Sequence, residues 1–372
     1  MKILALSHKF VQILVSTPRF SKRLLVQNSK RATIKDIARI AGVSTASVSQ
    51  ALRPSSKSNI KLQQDTIDRV KSVAVQLNYR PHSGARSIRS KHFGTLGYFI
   101  AKEGLFTHTP AGYMAGVHDA AEEVDYRITL IRLPHRLEEI RDTIPSVFSE
   151  HNLDALVIES YSEISEQIHN RLSDMNLPVI YLNDRHEKNS VYVDDAYGSE
   201  LLTQYMIDRG YQDICFLLRQ NLNGSPNVED MHHSAINRRD GYIKKMEEKG
   251  RTPVVKMLQT HVVDRDEDLT DEQWNMIKDH ESIIAYDDDL VNMIGRYCYR
   301  HHIRIPDAFA IAGFNGDYGS MCSWLRLTTV KIPSYEMGRH ATEMALALVR
   351  SGNHEPIPSA AYRPTLIPGD SA

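Results

Sequence analysis

Apolar residues recur every three or four positions between residues 33 and 79, which is the spacing of amphipathic helices. This pattern predicts three short helices, over residues 34–41, 45–52 and 64–79. Thr33 and Ser44 stand where they can cap the first two helices, and Gly42 stands where the first helix must turn. The sequence therefore predicts a helix, a tight turn and a second helix, closed by a third helix over a small core.

From Gly94 onward, continuous apolar runs alternate with helical stretches such as 111–125 and 163–176. The runs predict eight strands, over residues 95–101, 127–133, 154–160, 178–183, 214–219, 254–258, 282–286 and 309–314. Strands that are apolar throughout and alternate with helices form parallel sheets covered on both faces. Two such sets predict two lobes, and a ligand would bind at the carboxyl ends of their strands, in the cleft between them.

Charge is divided unevenly along the 372 residues. The first 94 residues hold 18 Lys and Arg against 3 Asp and Glu, whereas the remainder holds 27 against 43, so a net charge of -1 conceals a basic module joined to an acidic body. This asymmetry indicates a polyanion as partner of the N-terminal part. A solvated basic tail would give the same charge, so charge alone leaves both interpretations open.

Residues 1–31 are basic and contain no acid. A secretory signal needs an unbroken apolar stretch, which His8, Lys9 and Gln12 interrupt. We interpret the segment as a disordered basic arm or as the product of an upstream start codon that is not used.

The three cysteines, Cys215, Cys298 and Cys322, are scattered and odd in number, which favours reduced, packed thiols and a cytoplasmic location over a disulfide framework. No apolar run approaches the roughly 18 residues of a membrane span.

An enzyme would need a recognisable catalytic arrangement. His232-His233 and His301-His302 are adjacent pairs, whose side chains point about 100° apart on a helix and do not converge on one metal ion. There is no Cys-x-x-Cys, no Gly-x-Ser-x-Gly elbow and no phosphate-binding Gly-Lys-Ser/Thr loop. We therefore expect no enzymatic activity, no cofactor and no metal ion.

The second predicted helix begins with short outward-facing polar residues, as a recognition helix does where it meets base edges. The runs 33-TIKDIARIAGVSTASVSQAL-52, 77-LNYRP-81 and 85-ARSI-88, taken in order, resemble the headpiece and hinge of the lactose-repressor/galactose-repressor (LacI) family. The resemblance implies that Thr45, Ala46 and Gln50 contact bases in the major groove. The implied DNA-binding set is completed by Thr33, Ser44, Ser49 and Tyr79.

The resemblance also implies that the hinge becomes a short helix when two subunits meet on DNA. Ile88 would then wedge into the minor groove, with Ala85 and Arg86 beside it, because a bent duplex gains protein contacts that offset its unstacking. Taken without its neighbours, Ile88 would also fit a buried linker residue.

Two positions depart from the family pattern. Many members have Arg where this chain has Gln50, and Gln prefers adenine whereas Arg prefers guanine, so we expect a different half-site. The connection 53–65 is also longer by about four residues and lacks the usual capping serine of the third helix, for which Asn59 is the expected substitute.

The second half resembles the periplasmic-binding-protein-like effector domain of the same family, on the runs 193-VDDAYG-198, 238-RRDGY-242, 286-YDDDL-290 and 303-IRIPDAFAIAGFNG-316. The implied effector-binding residues are Asn183, Arg238, Asp288 and Asn315, with Asp287 in place of an asparagine. An Arg fork with Asp and Asn acceptors suits a ligand rich in hydroxyls, so the expected effector is a sugar or related metabolite. The alternative for Arg238 is a surface ion pair with Asp240 or Glu229.

Together these observations predict an α+β multidomain protein. Its expected parts are a basic extension (1–31), a three-helix helix-turn-helix headpiece (32–80), a hinge (81–93) and a two-lobed α/β effector domain of the type I periplasmic-binding-protein-like class (94–372), with lobe crossovers near 194–196, 327–334 and the last strand. The expected function is that of a transcriptional repressor that binds pseudo-palindromic double-stranded operator DNA as a homodimer or a tetramer, under control of a small molecule. The alternative is a solute-binding receptor module with no role on DNA.

Overall fold

The computed structural model describes residues 32–52, 60–79, 92–101, 110–133, 153–159, 177–220, 227–228, 231–258, 269–316, 325–352 and 355–372. The chain divides into two compact units, Met1–Ser83 and Gly84–Ala372. The division falls inside the predicted hinge. The predicted basic extension, residues 81–91 of the predicted hinge and the predicted helix 163–176 lie outside the described residues.

The first unit contains the three predicted helices, α1 (Ile34–Ala41), α2 (Thr45–Leu52) and α3 (Gln64–Gln76). Thr33 and Asp36 form a capping box at the start of α1, and Gly42 ends it in the left-handed conformation at φ 66°. Ser44 Oγ accepts the backbone N–H of Ser47 at 3.0 Å, so it caps α2 as expected. Side chains from all three helices share one small core that includes Ile37, Val48, Ala51, Val70 and Ala74.

Helix α3 begins at Gln64 as predicted and ends earlier than predicted. Its N-cap residue is Gln63, whose side chain makes no capping hydrogen bond, and Asn59, the expected substitute cap, lies outside the described residues. The helix ends at Gln76 instead of residue 79, because Asn78 adopts φ 47° and the Tyr79 N–H turns back to the Ala74 carbonyl.

The second unit has two six-stranded sheets, one in each lobe. The first-lobe sheet is parallel throughout and has the order β11-β5-β4-β3-β1-β2. Its strands are β1 (Thr95–Ala101), β2 (Arg127–Leu133), β3 (Ala155–Glu159), β4 (Val179–Leu182), β5 (Ser190–Val193) and β11 (Ala360–Tyr362).

The second-lobe sheet has the order β12-β10-β9-β8-β6-β7 and is parallel except for its antiparallel edge strand β12. Its strands are β6 (Ile214–Arg219), β7 (Val254–Leu258), β8 (Ser282–Ala285), β9 (Ala310–Asn315), β10 (Thr328–Lys331) and β12 (Thr365–Ile367). All eight predicted strands are present within one or two residues, whereas β5 and β10–β12, of three or four residues each, had no separate prediction as strands.

Helices cover both faces of the second-lobe sheet. Alternate residues of β6 show this, since Phe216 packs in the core under α5 (Asp195–Asp208) and α6 (His233–Glu248), whereas Leu217 packs under α7 (Asp271–Ile277) and α8 (Asp288–Arg300). In the first lobe, α4 (Ala111–Glu122) and α9 (Ser334–Ser351) pack together against the sheet. Both lobes therefore have the layered α/β arrangement predicted from the apolar strands.

The chain passes between the lobes three times, from β5 to α5, from β10 to α9 and from β11 to β12. These positions agree with the predicted crossovers. Because the chain crosses between the lobes three times, residues that are far apart in sequence come together where the carboxyl ends of the two sheets face each other.

Candidate ligand cleft and nucleic-acid interface

Arg238 is the centre of the candidate cleft. It projects from α6, is only 3% exposed, and its Nε donates to Oδ1 of Asp195 at 2.7 Å. Nη1 donates to the Tyr286 carbonyl at 2.8 Å, and the guanidinium carbon lies 5.1 Å and 4.6 Å from the ring centroids of Tyr286 and Phe314. The burial of Arg238 argues against the alternative of a surface ion pair: Arg239 is the residue that pairs with Asp240, and Glu229 lies outside the described residues.

The partner of Arg238 was not among the predicted site residues. Asp195 begins α5 immediately after a crossover and is 2% exposed. Burial is the largest single influence on the pKa of Arg238 and would lower it, but the charge and hydrogen bond of Asp195, together with Tyr286 and Asp287, outweigh burial and raise that pKa above its ordinary value. Oδ2 of Asp195 is buried, and no hydrogen-bond donor from the described residues reaches it. A buried carboxylate oxygen without a donor is a natural acceptor for a ligand hydroxyl or amine.

Asn315 was predicted to belong to the same site, and the structure brings it next to Arg238. It ends β9 with a positive φ of 105°, and its Oδ1 accepts a hydrogen bond from Nη2 of Arg238 at 3.3 Å. The strand end thus presents the Asn315 side chain to the arginine.

Asp288 has a different environment from that expected of a ligand acceptor. It is 2% exposed, its Oδ1 accepts from the Thr329 hydroxyl at 2.7 Å and its Oδ2 accepts from the Gly316 N–H at 2.8 Å. The two oxygens of Asp288 thus connect α8 both to β10 and to the turn that follows β9. This geometry indicates that Asp288 stabilises the fold.

Both carboxylate oxygens of Asp287 likewise contact other residues of the protein. Its Oδ1 caps α8 by accepting the N–H of Leu290 at 2.9 Å, and its Oδ2 lies 2.6 Å from Nη2 of Arg219, the last residue of β6. The residue immediately after β8 that contacts Arg238 is Tyr286, which sequence analysis missed; its hydroxyl contacts Ser234 Oγ at 2.8 Å.

Asn183 follows β4 and joins the lobes through its backbone. Its carbonyl accepts hydrogen bonds from Nε2 of both His232 and His233, at 2.9 Å and 3.0 Å, at the start of α6. The other nitrogen of His232 accepts from the Ser234 N–H, so this imidazole is neutral. Burial, followed by the proximity of His233, lowers the pKa of His232 to about 3.

The first lobe contains a buried polar pair at the carboxyl end of β3. Tyr98 donates to Oε2 of Glu159, the last residue of β3, at 2.7 Å. Burial, with the charges of Glu159 and Asp195, holds the pKa of Tyr113 well above its ordinary value. The charge of Arg238 acts on the same pKa in the opposite direction. Groups of both lobes are therefore within electrostatic range of one another.

The candidate nucleic-acid interface lies on α2. Thr45, Ala46 and Ser49 are exposed there and Gln50 is half-buried, while Val48 and Ala51 face the core. Among the other predicted DNA contacts, Thr33 and Ser44 are exposed helix caps and Tyr79 packs against the headpiece core. Ala85, Arg86 and Ile88 lie outside the described residues.

Within the described part of the chain, the side chains close enough to share a metal ion are His118, Asp119 and Glu122 on α4. Asp119 instead accepts a hydrogen bond from the Tyr335 hydroxyl at 2.9 Å, and the other two are exposed, so these residues have the character of an ordinary solvated helix surface.

No helix among the described residues is both long and apolar enough to cross a bilayer. The prediction of packed thiols is confirmed for Cys215 and Cys298, which are free and buried, whereas Cys322 lies outside the described residues.

Comparison with known proteins agrees with this architecture. Residues 33–82 match the model of bacterial regulatory proteins of the lacI family, and residues 203–372 match the periplasmic binding protein-like domain. The HTH-type transcriptional regulator RegA of Clostridium saccharobutylicum is 25% identical over 322 residues, which cover 85% of this chain and 92% of that protein.

Two solved structures share the fold. The lac repressor dimer bound to operator and the anti-inducer ONPF has a TM-score of 0.71 at 18% identity, covering 92% of this chain and 99% of that one. The complex of the transcriptional regulator CelR with cellobiose has a TM-score of 0.64 at 18% identity, covering 92% of this chain and 100% of that one.

A helix-turn-helix unit followed by a two-lobed α/β unit of this kind defines a DNA-binding transcription regulator rather than an enzyme. The chain belongs to the LacI/GalR family of bacterial regulatory proteins.

Proposed function

We propose that the protein is a transcriptional repressor of the bacterial cytoplasm whose binding to operator DNA is controlled by a hydroxyl-rich small molecule held between the lobes. The observation that carries this proposal is the buried pair of Arg238 and Asp195, with Oδ2 of Asp195 left without a donor among the described residues. The pair lies where the strand ends of both lobes meet, which is the usual ligand position in such folds. CelR, which shares the fold, is described in complex with cellobiose.

The proposed site differs in part from the set predicted from sequence. Arg238, Asn315 and Asp195 form its centre, Tyr286 stacks on the arginine, and Asn183 approaches from the first lobe. We propose that Asp288 stabilises the site through its hydrogen bonds with Thr329 and Gly316, and that it does not contact the ligand directly.

On DNA, we propose that Thr45, Ala46 and Gln50 contact bases while Thr33, Ser44, Ser49 and Tyr79 position the headpiece. Thr45 and Ala46 lie at the start of α2, where small side chains allow close approach to the major groove, and Gln50 lies about one turn further along the helix. The hinge roles of Ala85, Arg86 and Ile88 remain part of this proposal, together with a homodimer on a pseudo-palindromic site.

Ligand and DNA can be coupled only if the ligand binds one lobe orientation better than another. The contacts from Arg238 through Tyr286, Ser234 and His232 to the Asn183 carbonyl provide a continuous path from the site to the facing lobe. A ligand seated on Arg238 and Asp195 would thereby favour one arrangement of the lobes.

The test begins with selection of an operator from random duplex DNA by the full-length protein. Affinity for the selected site is then measured at two salt concentrations, because phosphate contacts make a regulator's affinity fall steeply with salt. Gln50→Ala should weaken binding to the selected site, whereas Gln76→Ala, an exposed change on α3, should not. A protein that binds no duplex in a salt-dependent way is a solute receptor, and the proposal is then wrong.

A further inference from the structure

A buried carboxylate at the amino edge of the first-lobe sheet binds the backbone in front of β1. Asp154 immediately precedes β3, and its side chain is only 4% exposed. Its Oδ1 accepts the N–H of Phe93 and its Oδ2 accepts the N–H of Gly94, each at 2.7 Å. Gly94 adopts φ 68°, a left-handed conformation that lets two successive N–H groups point at one anion.

Neighbouring strands hold the same short segment. The Arg127 N–H, at the start of β2, donates to the Gly94 carbonyl at 3.0 Å, and the Asp154 N–H donates to the Thr95 carbonyl at 2.8 Å. Burial, the charge of Asp154 and a hydrogen bond to its carboxylate raise the pKa of Tyr126 to about 12, so this hydroxyl stays protonated and donates. We refer to the Asp154 carboxylate with its donors Phe93, Gly94 and Tyr126 as the β1 anchor.

The β1 anchor lies where the chain enters the first lobe. Phe93 is the last residue of the predicted hinge, residues 81–93, and Gly94 is the first residue of the predicted effector domain. If these residues were loosely held, they would have to be ordered each time the protein bound its operator. Ordering one loosely held residue on binding costs roughly tenfold in affinity, and a segment that is fixed beforehand avoids this cost.

The second lobe has a similar arrangement that is not connected to a hinge. Glu281 immediately precedes β8, and its Oε2 accepts the N–H groups of Gln212 and Asp213 at 2.6 Å and 3.3 Å, just before β6. Strand β8 pairs with β6 as β3 pairs with β1. Because the segment before β6 follows α5 within the same lobe, Glu281 can stabilise that lobe but cannot position a hinge.

We propose that Asp154 is a positioning residue for DNA binding, which fixes the end of the hinge on the first lobe and is required for specific operator binding but not for non-specific binding. This inference rests on the proposed function, in which residues 81–93 are the hinge. Specific recognition needs the headpiece and hinge in one arrangement on the duplex. Non-specific binding depends on phosphate contacts, which do not require that arrangement.

The test compares full-length Asp154→Asn with the unchanged protein and with Glu281→Gln as matched control. An asparagine has nearly the same size, but it has one acceptor oxygen, and its amino group would face one of the two backbone donors. Asp154→Asn should weaken binding to the selected operator by about tenfold or more and leave binding to an unrelated duplex within about twofold. Glu281→Gln should leave both affinities within about twofold.

Hydrogen exchange measures the β1 anchor directly and without DNA. The amides of Phe93 and Gly94 should exchange at least about tenfold faster in Asp154→Asn, because each loses a charged acceptor. Tyr126→Phe is a milder second variant, since Tyr126 is half-buried and only its hydroxyl is removed. It should weaken operator binding by about threefold without changing non-specific binding, and it decides the matter if Asp154→Asn does not fold.

The outcomes separate this inference from the proposed function. If the unchanged protein binds no operator, the proposed function is wrong and the inference is wrong with it. If it binds operator and the folded Asp154→Asn variant keeps full operator affinity, only the role of the β1 anchor is wrong. Equal loss of specific and non-specific binding, or an equal loss of operator affinity in Glu281→Gln, overturns the inference. So does unchanged operator affinity of Tyr126→Phe where Asp154→Asn does not fold.

Discussion

The pair formed by Arg238 and Asp195 supports a quantitative prediction of stability. Arg238→Met would leave the carboxylate of Asp195 buried without its counter-charge, and Asp195→Asn would leave the guanidinium in the same position. Removing one partner of a buried ion pair costs about 3–5 kcal/mol, so each single variant should lose that much free energy of unfolding.

The double variant should be more stable than either single one, because neither charge remains. It still loses the bonds of Arg238 to the Tyr286 carbonyl and to Asn315, each of which is worth about 1 kcal/mol. We therefore expect a net loss of about 2 kcal/mol relative to the unchanged protein, since a methionine of similar length packs against the same aromatic rings. The single effects should be far from additive.

Equilibrium unfolding in urea, followed by tryptophan fluorescence, provides the assay. Trp274 packs 5.0 Å from the ring centroids of both Tyr297 and Phe309, so its emission reports on the second unit. Single variants that lose less than about 1 kcal/mol, or a double variant whose loss equals the sum of the two, would refute the assignment of a buried, charged pair. The same variants in the operator assay show whether loss of ligand response is separate from loss of folding.

Three further predictions concern other parts of the chain. Gln50→Arg should shift the selected half-site toward guanine at one symmetric position by about 1–3 kcal/mol, measured by repeated operator selection. Gly116→Ala should cost about 1–3 kcal/mol in urea unfolding because its Cβ would clash with the Tyr335 carbonyl oxygen. Gly295→Ala, whose nearest neighbour lies at 3.9 Å, should instead stabilise its helix by up to about 1 kcal/mol. The pKa of His232 is about 3 in the folded protein against an ordinary 6.5, so the unfolded chain binds the extra proton and stability should fall as pH drops from 6.5 toward 3. His232→Gln, which retains a donor but cannot titrate, should flatten that decline in melting experiments across pH, and an unchanged slope would contradict the reasoning.

The arrangement of the elements could be predicted from local sequence because it depends on local properties. The apolar spacing of residues 34–52, the caps at Thr33 and Ser44, and the glycine turn at Gly42 were all confirmed. The long strands were equally clear, since a strand buried on both faces must be apolar throughout. Strands of three or four residues such as β11 were not separately predicted, because so short a run has no period of its own.

The chemistry of the cleft depended on tertiary structure. Sequence alone offered Arg238 the nearby acids Asp240 and Glu229, whereas its actual partner, Asp195, is 43 residues away and is brought to it by the β5–α5 crossover. Asp288 was predicted as a ligand acceptor, and only the fold shows that Thr329 and Gly316 each donate a hydrogen bond to one of its two oxygens. The residue types in the sequence were enough to predict a polar cleft. Which of its polar groups remain available to a ligand was decided by packing, because the donors, the burial and the charge partners of a side chain are set by residues distant in sequence.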